Sequence, residues 1–344
     1  MTTNAAYTTP SNILSIVESH MAFLISKVNS EHEQSMIVSA LKILLNGSYT
    51  RYRFSNGELG LIKNLSNDSL QALLSSMNER SETRKERGVY YTPVDVTAFI
   101  VKTCFNKYLE ASQERHASRE SACKGLLFDA TVFDPTCGSG EFIRDALKAK
   151  IRLLEKSRHS KTSGDFLNIV STLSGNDLNP ESVEITKIRI FFEVLPYIDK
   201  EYYAQLARTL NSNFHTHDFI NCDHLVFGKK DIILGNPPYI EDRKSKIPLA
   251  RRYGNIYANV LDECIGILKE GGIMGMIIPI SYISTPRMEK IRQIIRSETD
   301  YEILLNYADR PSCLFTAVHQ KLTILIARKG RGEHKVFTSG YRYW

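Results

Sequence analysis

Apolar residues in the first eighty positions recur at helical spacing. One stripe (Ile13, Leu14, Val17, Met21, Leu24, Ile25, Val28) follows the cap candidates Ser11 and Asn12. A second (Met36, Ile37, Ala40, Leu41, Leu44, Leu45) stops at Asn46-Gly47, and a third (Leu70, Leu73, Leu74, Met77) follows Ser66-Asn67-Asp68. These patterns predict a small helical bundle over residues 1–87, with the stripes as its core. Beyond the charged stretch 79–87 the period changes. Short apolar runs at 126–133, 172–175, 232–234, 273–278, 303–306 and 322–327 alternate with helix-like segments at 142–154, 183–194, 256–268 and 288–295. Strands separated by helices require right-handed crossovers, so residues 88–344 are read as an α/β domain with a mostly parallel sheet covered on both faces. The last two runs lack a helix between them and predict an antiparallel hairpin at the sheet edge. The polar segment 111–125 is read as a surface loop. No internal repeat or low-complexity tract is present.

Composition narrows this picture little. Of 344 residues, 42% are hydrophobic and 24% charged, and the net charge of +6 permits a nucleic-acid partner without requiring one. The 6 cysteines are scattered without a C-x-x-C pair, and the polar amino terminus lacks an apolar signal core. Both features lead to the expectation of a reducing cytoplasm. The longest apolar run, 273–280, falls far short of the roughly 20 residues of a membrane span, so no membrane partner is expected. His215, His217, Cys222 and His224 fit no common zinc spacing, and no metal is expected.

Three loops, and a single acid outside them, carry candidate chemistry. Asp134-Pro135-Thr136-Cys137-Gly138-Ser139-Gly140-Glu141 directly follows an apolar run. Glycines at a strand-to-helix turn let a ligand approach the backbone beside the positive end of the following helix. The third glycine of a dinucleotide fingerprint is missing. Asp177, in Gly175-Asn176-Asp177-Leu178-Asn179-Pro180, is placed to bind two ribose hydroxyls, although a helix cap would explain it equally. Asp218, in His217-Asp218-Phe219, is a candidate acceptor for an adenine amino group.

The third loop is Asn236-Pro237-Pro238-Tyr239, after Asp231-Ile232-Ile233-Leu234-Gly235. Two successive prolines end the strand and hold an amide and an aromatic ring in rigid relation at the carboxyl edge of the sheet. An aromatic amine is a poor nucleophile because its lone pair is delocalised into the ring. If the Asn236 side-chain oxygen and the Pro237 carbonyl each accept one N–H, the nitrogen can pyramidalise, and the acceptors stabilise the charge that develops during alkylation. Tyr239 can stack on the flat face of the base. Close by, Arg243, Lys244, Lys246, Arg251 and Arg252 form a basic loop suited to phosphates.

In these motifs and their order, residues 88–329 resemble the gamma-class N6-adenine DNA methyltransferases, which include type I modification subunits and the catalytic half of type IIG enzymes. The aromatic Thr-Pro motif (Gly88, Tyr90, Tyr91, Thr92, Pro93) precedes the glycine loop, then Asp177, Asp218 and residues 236–239, and Asn255-Ile256-Tyr257 and Gly271-Gly272-Ile273-Met274-Gly275 resemble later motifs. The resemblance implies a Rossmann-like, seven-stranded, mostly parallel methyltransferase sheet with an antiparallel edge hairpin, and S-adenosyl-L-methionine as cofactor. It implies that Tyr90, Thr92, Asp134, Gly138, Gly140, Asp177, Asp218 and Asn236 line the cofactor pocket. Asn236, Pro237 and Tyr239 would be catalytic, and Pro238, Tyr239 and Phe315 would hold a flipped adenine. The position of the basic loop beside Tyr239 makes Arg243 and Lys244 candidate contacts to the double-stranded DNA that carries it. Flipping is needed because an adenine inside a duplex cannot reach such a pocket.

Too few residues follow Lys329 for a recognition domain, so sequence specificity is expected from a partner subunit or from a part missing from this chain. The helical residues 1–87 would then serve in docking. Enzymes that methylate RNA adenine or protein glutamine side chains also carry Asn-Pro-Pro-Tyr, and the aromatic Thr-Pro motif favours the DNA class. A nicotinamide-dependent oxidoreductase would explain the glycine loop and Asp177 but leaves residues 236–239 without a role. A catalytically silent scaffold leaves the intact Asn236 and Tyr239 unexplained.

Overall fold

The computed structural model describes residues 25–26, 28, 30–45, 92–113, 118–159, 161–310, 314 and 320–344. Eight strands form one sheet: β1 Val132–Asp134, β2 Leu173–Asp177, β3 Phe214–Thr216, β4 Lys230–Gly235, β5 Leu268–Pro279, β6 Thr299–Tyr307, β7 Leu322–Lys329 and β8 Lys335–Arg342. Their spatial order is β3-β2-β1-β4-β5-β7-β6-β8. From β3 to β5 every pairing is parallel, whereas β7 runs antiparallel to both β5 and β6. The predicted α/β sheet with its antiparallel pair is therefore present. An eighth strand extends it, parallel to β6. That strand escapes the hydrophobic pattern because it is an exposed edge, with seven of its eight residues open to solvent.

The described helices are α1 Glu31–Leu44, α2 Val94–Gln113, α3 Arg119–Phe128, α4 Glu141–Lys156, α5 Ser163–Ser171, α6 Pro180–Val194, α7 Tyr203–Asn213, α8 Ile256–Ile267 and α9 Glu289–Glu298, with a single turn at Ser281–Ser284. Two expectations are corrected here. Within the segment read as a loop, 111–113 and 119–125 are helical: α2 continues to Gln113 and α3 starts at Arg119, capped by the Ser118 side chain. Leu126, Leu127 and Phe128 close α3 rather than open a strand, and β1 begins only at Val132. Of the three amino-terminal helices, α1 carries the second stripe, most of the first lies outside the described residues, and so does all of the third. The buried face of α1 (Ile37, Ala40, Leu41, Leu44) joins the same core as α6 and α7. Tyr203 donates to Glu33 at 2.9 Å, and Asn211 donates to the Ile43 carbonyl at 2.8 Å.

Successive strand residues feed two apolar layers. On β4, Ile232 and Leu234 pack with α2, α4 and α6, whereas Ile233 packs with α8 and α9; on β5, Ile273 and Ile277 take the first side, and Met274, Met276 and Ile278 the second. Burial on both faces is why these strands read as continuous apolar runs. Chain order and spatial order part company at β1. The chain moves outward through β2 and β3, then returns to place β4 on the other side of β1. Such a reversal opens a crevice at the carboxyl ends of β1 and β4, where open α/β sheets take ligands.

Candidate active site

The loop after β1 is clamped from below. Cys137 N–H donates to the Asn176 carbonyl at 2.7 Å, Gly138 N–H to Asp177 Oδ2 at 2.9 Å, and Thr186 Oγ1 to the Gly138 carbonyl at 2.9 Å. Arg189, 2% exposed, donates to the Ser139 carbonyl and to both oxygens of Glu141, at 2.6 and 3.2 Å. Gly138 (φ 53°) and Gly140 (φ 87°) both occupy the left-handed region. They differ in surroundings. A Cβ on Gly140 would lie 2.7 Å from Thr186 Cγ2, whereas one on Gly138 would meet nothing within 4 Å. Gly140→Ala should therefore lower stability by about 1–3 kcal/mol, from backbone strain alone before the clash is added. Gly138→Ala should cost less. Paired urea melts check this, and equal losses would show that α6 yields to the new methyl group.

Two carboxylates line the loop. Asp134, 2% exposed, accepts from Thr136 N–H at 3.0 Å. Asp177 ends β2 and also accepts from Asn179 N–H at 2.9 Å. Asn179 in turn caps α6, with Pro180 in its first turn. Burial pushes the Asp134 carboxyl well above the usual range, opposed by the Thr136 N–H and reinforced by the charge of Asp177. Burial also raises Asp177, against three backbone N–H donors. Asp218 lies beyond β3, where its oxygens accept from Ile220 N–H at 3.2 Å and Asn221 Nδ2 at 2.8 Å. Asn176, buried beneath this group, donates to the Pro135 and His217 carbonyls at 3.1 Å each and accepts from His217 N–H at 3.0 Å. One amide thus ties the loops after β1 and β3 to β2.

The Asn236 turn leaves β4 beside this loop. A Cβ on Gly235 would sit 3.0 Å from Asp134 Oδ1, so only glycine lets the two strand ends approach this closely. The Asn236 side-chain nitrogen donates to Thr92 Oγ1 at 3.1 Å. Thr92 is buried just ahead of α2, which packs along β4 and β5. This bond turns the acceptor end of the Asn236 amide away from Thr92. Pro237 is buried, and Pro238 and Tyr239 are half-buried. The Tyr239 hydroxyl donates to the Ile277 carbonyl at 3.0 Å, and its ring meets Tyr257 edge-on at 6.4 Å. Tyr257 is fully buried, with its hydroxyl 2.9 Å from Ser281 Oγ.

Of the predicted site residues, Thr92, Asp134, Gly138, Gly140, Asp177, Asn236, Pro237, Pro238 and Tyr239 gather at the carboxyl edge of the sheet, and Asp218 stands at the far end of the same crevice. Tyr90 and Phe315 lie outside the described residues. Arg243 and Lys244 are strongly exposed and face Glu241, at 2.7 and 3.9 Å. Sequence reasoning missed Asn176, Thr186 and Arg189 as supports of the loop. A lone arginine in the apolar stretch Ile188-Arg189-Ile190-Phe191 is a readable signal of an inward charge. Among the described residues, no group of three or more His, Cys, Asp or Glu side chains could hold a metal ion, and no helix is long and apolar enough to cross a membrane.

Sheet order, crevice and motif placement define a protein of the methyltransferase α/β class. Residues 171–312 match the Eco57I restriction-modification methylase family, a span that includes Asp177, Asp218 and the Asn236 turn. The chain is 25% identical to the type II methyltransferase M.CvrRI of Paramecium bursaria Chlorella virus XZ-6E over 207 residues, which is 59% of this chain and 38% of that protein. It is 38% identical over 84 residues to the modification methylase CviBIII of Paramecium bursaria Chlorella virus NC1A, covering 23% of this chain and 22% of the relative. Among solved structures, the DrdV–DNA complex shares the fold with a TM-score of 0.59 at 14% identity, over 96% of this chain and 37% of that one. A modification subunit of a putative type I restriction enzyme from Vibrio vulnificus YJ016 gives 0.55 at 14% identity, over 92% and 63%. The chain thus spans well under half the length of these curated relatives. In sequence and in fold it is a restriction–modification methylase-like protein.

Proposed function

We propose that this chain transfers a methyl group from S-adenosyl-L-methionine to the N6 amine of an adenine flipped out of double-stranded DNA, within a restriction–modification system. One observation carries the reading: the Asn-Pro-Pro-Tyr turn and the acid-lined glycine loop share one crevice, with Gly235 packed against the Asp134 carboxylate. The residues fit the cofactor. Gly138 leaves the open side of the loop clear, and buried Asp134 and half-buried Asp177 supply acceptors for ribose hydroxyls and compensation for positive charge. When bound, S-adenosyl-L-methionine supplies an electrophilic methyl group on a sulfonium. The chain's own residues do the rest. Thr92 fixes the Asn236 amide so that its oxygen, with the Pro237 carbonyl, accepts the two N–H bonds of the target amine and favours its pyramidal form. Tyr239, anchored by Ile277 and braced by Tyr257, presents a ring for the base to stack on.

Two further proposals follow from the relatives. Sequence specificity comes from a partner subunit or from chain not present in this sequence, in keeping with the type I neighbour. Residues 1–87 serve as an amino-terminal docking element ahead of a catalytic domain over 88–344, and the described α1 shares the core of that domain.

Transfer of tritium from labelled S-adenosyl-L-methionine to duplex DNA, RNA and protein, tested in parallel, distinguishes the substrates. Label in N6-methyladenine of DNA is the expected result; label confined to RNA or to glutamine side chains would overturn the reading. Cofactor affinity should also rise with pH. A cationic ligand favours ionised Asp134 and Asp177, and burial pushes both carboxyls above their ordinary range, so each ionises at a higher pH than a free carboxylic acid. As pH climbs through those values the carboxylates ionise and binding tightens. Calorimetric titration over a pH series that spans the ionisation of both carboxyls reads this, and a flat profile would remove the two acids from cofactor recognition.

A further inference from the structure

A second concavity of about 530 Å³ opens beside the active-site turn. One wall is Arg252, Tyr253 and Gly254; the other is Pro286, Arg287, Glu289, Lys290 and Gln293. Both walls are tied to the surroundings of Tyr239. The first is stitched to the chain that continues from the turn: Gly254 N–H donates to Asp242 Oδ2 at 2.6 Å, and Ile256 N–H to the Ile240 carbonyl at 2.8 Å. The second begins just after Ser281, the partner of Tyr257, which braces Tyr239. Arg287 Cδ would lie 3.1 Å from a Cβ on Gly254, so the arginine stem rests on the glycine and the two walls touch.

The charges of this hollow are unequal. Arg252, Arg287 and Lys290 are exposed, and none forms a direct ion pair among the described residues, although Arg287 stands near enough to Glu241 to help lower its pKa. The single acid, Glu289, is already taken by Arg292 at 2.5 Å and Gln293 at 3.3 Å. Arg243 and Lys244, the loop cations expected to meet DNA from their place beside Tyr239, instead share Glu241. Three cations converging from segments 35 residues apart (252 to 287) form a site for an anion with several acceptor oxygens. Guanidinium forks match phosphate in pairs of hydrogen bonds, and lysine adds a point charge. Because the hollow is open and its cations are hydrated, a single phosphate would be held weakly, whereas a polymer with regularly spaced phosphates gains from every cation it meets.

We propose that Arg252, Arg287 and Lys290 bind phosphodiester groups of the DNA strand that carries the target adenine, and so hold the duplex beside Tyr239. This rests on the DNA reading of the site and joins Arg287 and Lys290 to Arg252 of the basic loop. The test is binding of a fluorescent 30-bp duplex by the full chain across a salt series, with the Arg287→Gln/Lys290→Gln double variant, the triple variant that adds Arg252→Gln, and Lys200→Gln as an exposed control at the far end of the sheet. Each neutralised phosphate contributes about 0.9 to the slope of log affinity against log salt. The double variant should therefore show a slope shallower by about 2 and an affinity reduced roughly tenfold or more at low salt. The triple variant should be weaker still, and the control should match the unmodified chain. Cofactor affinity and melting temperature should stay unchanged in all of them.

Unaltered affinity and slope in the triple variant, while the unmodified chain still methylates DNA, would overturn the hollow and leave the catalytic reading intact. An unmodified chain that neither binds nor methylates DNA would overturn both. A larger loss on duplex RNA than on DNA would overturn the choice of polymer. Displacement of DNA by inorganic phosphate at constant ionic strength would assign the hollow to the free anion instead.

Discussion

Asn236→Ala is expected to lower the methylation rate by about 10²–10³-fold, the loss typical of removing one preorganised group that acts on transition-state charge. The side-chain oxygen contributes little while the amine is planar and neutral, and most once the nitrogen has become pyramidal and carries positive charge. kcat and kcat/KM should therefore fall together, because an interaction made only in the transition state has been removed. Cofactor affinity should change much less, since Asp134, Asp177 and the glycine loop retain their backbone bonds. Thr92→Val refines the test. It removes the acceptor that holds the Asn236 nitrogen at 3.1 Å but leaves the amide in place, so a smaller loss is expected, from misorientation alone. Steady-state methylation, with single turnover under enzyme in excess over DNA, reads both variants. Unchanged turnover in Asn236→Ala would take this residue out of the reaction.

Arg189→Met is expected to cost about 3–5 kcal/mol of stability, the penalty for breaking a buried ion pair from one side. Arg189 and Glu141 are 2% and 8% exposed, so the orphaned carboxylate would have little water to turn to, and the Ser139 carbonyl would lose its donor as well. The first turn of α4 compensates only in part, through its positive end. Adding Glu141→Leu to Arg189→Met removes the second charge and should recover much of the loss, because an apolar pair of similar volume can replace a buried ion pair. Cofactor affinity should not recover with it. In both variants the Ser139 carbonyl has lost its anchor, so the loop that carries Gly138 has lost one of its clamps. Urea unfolding and cofactor titration on the two variants separate these effects. Full recovery of affinity in the double variant would show that the pair serves stability alone.

The hollow beside Tyr239 illustrates why part of this site is hidden in the sequence. Arg252 belongs to a legible basic loop, but Arg287 and Lys290 stand in an ordinary polar stretch, and only the packing of Arg287 over Gly254 brings them together. Asn176 sits in the sequence as one more polar loop residue, because its three hydrogen bonds go to residues 41 positions away in either direction. The segments that fold against expectation have equally local causes. Residues 126–128 are apolar and followed by more apolar residues, and a run that short cannot be divided between helix end and strand by periodicity. Ser, Glu, Ala and Lys through 111–125 look like a solvated loop, yet most of them are acceptable in helices whose apolar partners lie elsewhere in the core.

The chain alone determined whatever a few neighbouring residues can impose. Two prolines fix the backbone after Asn236 wherever the turn is placed, glycines permit the left-handed geometry at 138 and 140, and the change of hydrophobic period after residue 87 marks where strands begin to alternate with helices. Tertiary structure decided which of these pieces meet. Because β4 pairs with β1 rather than following β3, Asp134 and Asn236 become neighbours across about a hundred residues, and Thr92 reaches the amide it orients from 144 positions away. Strand order is chosen by burying two apolar layers at once on the faces of one twisted sheet. That sum runs over the whole chain, and no local pattern records it.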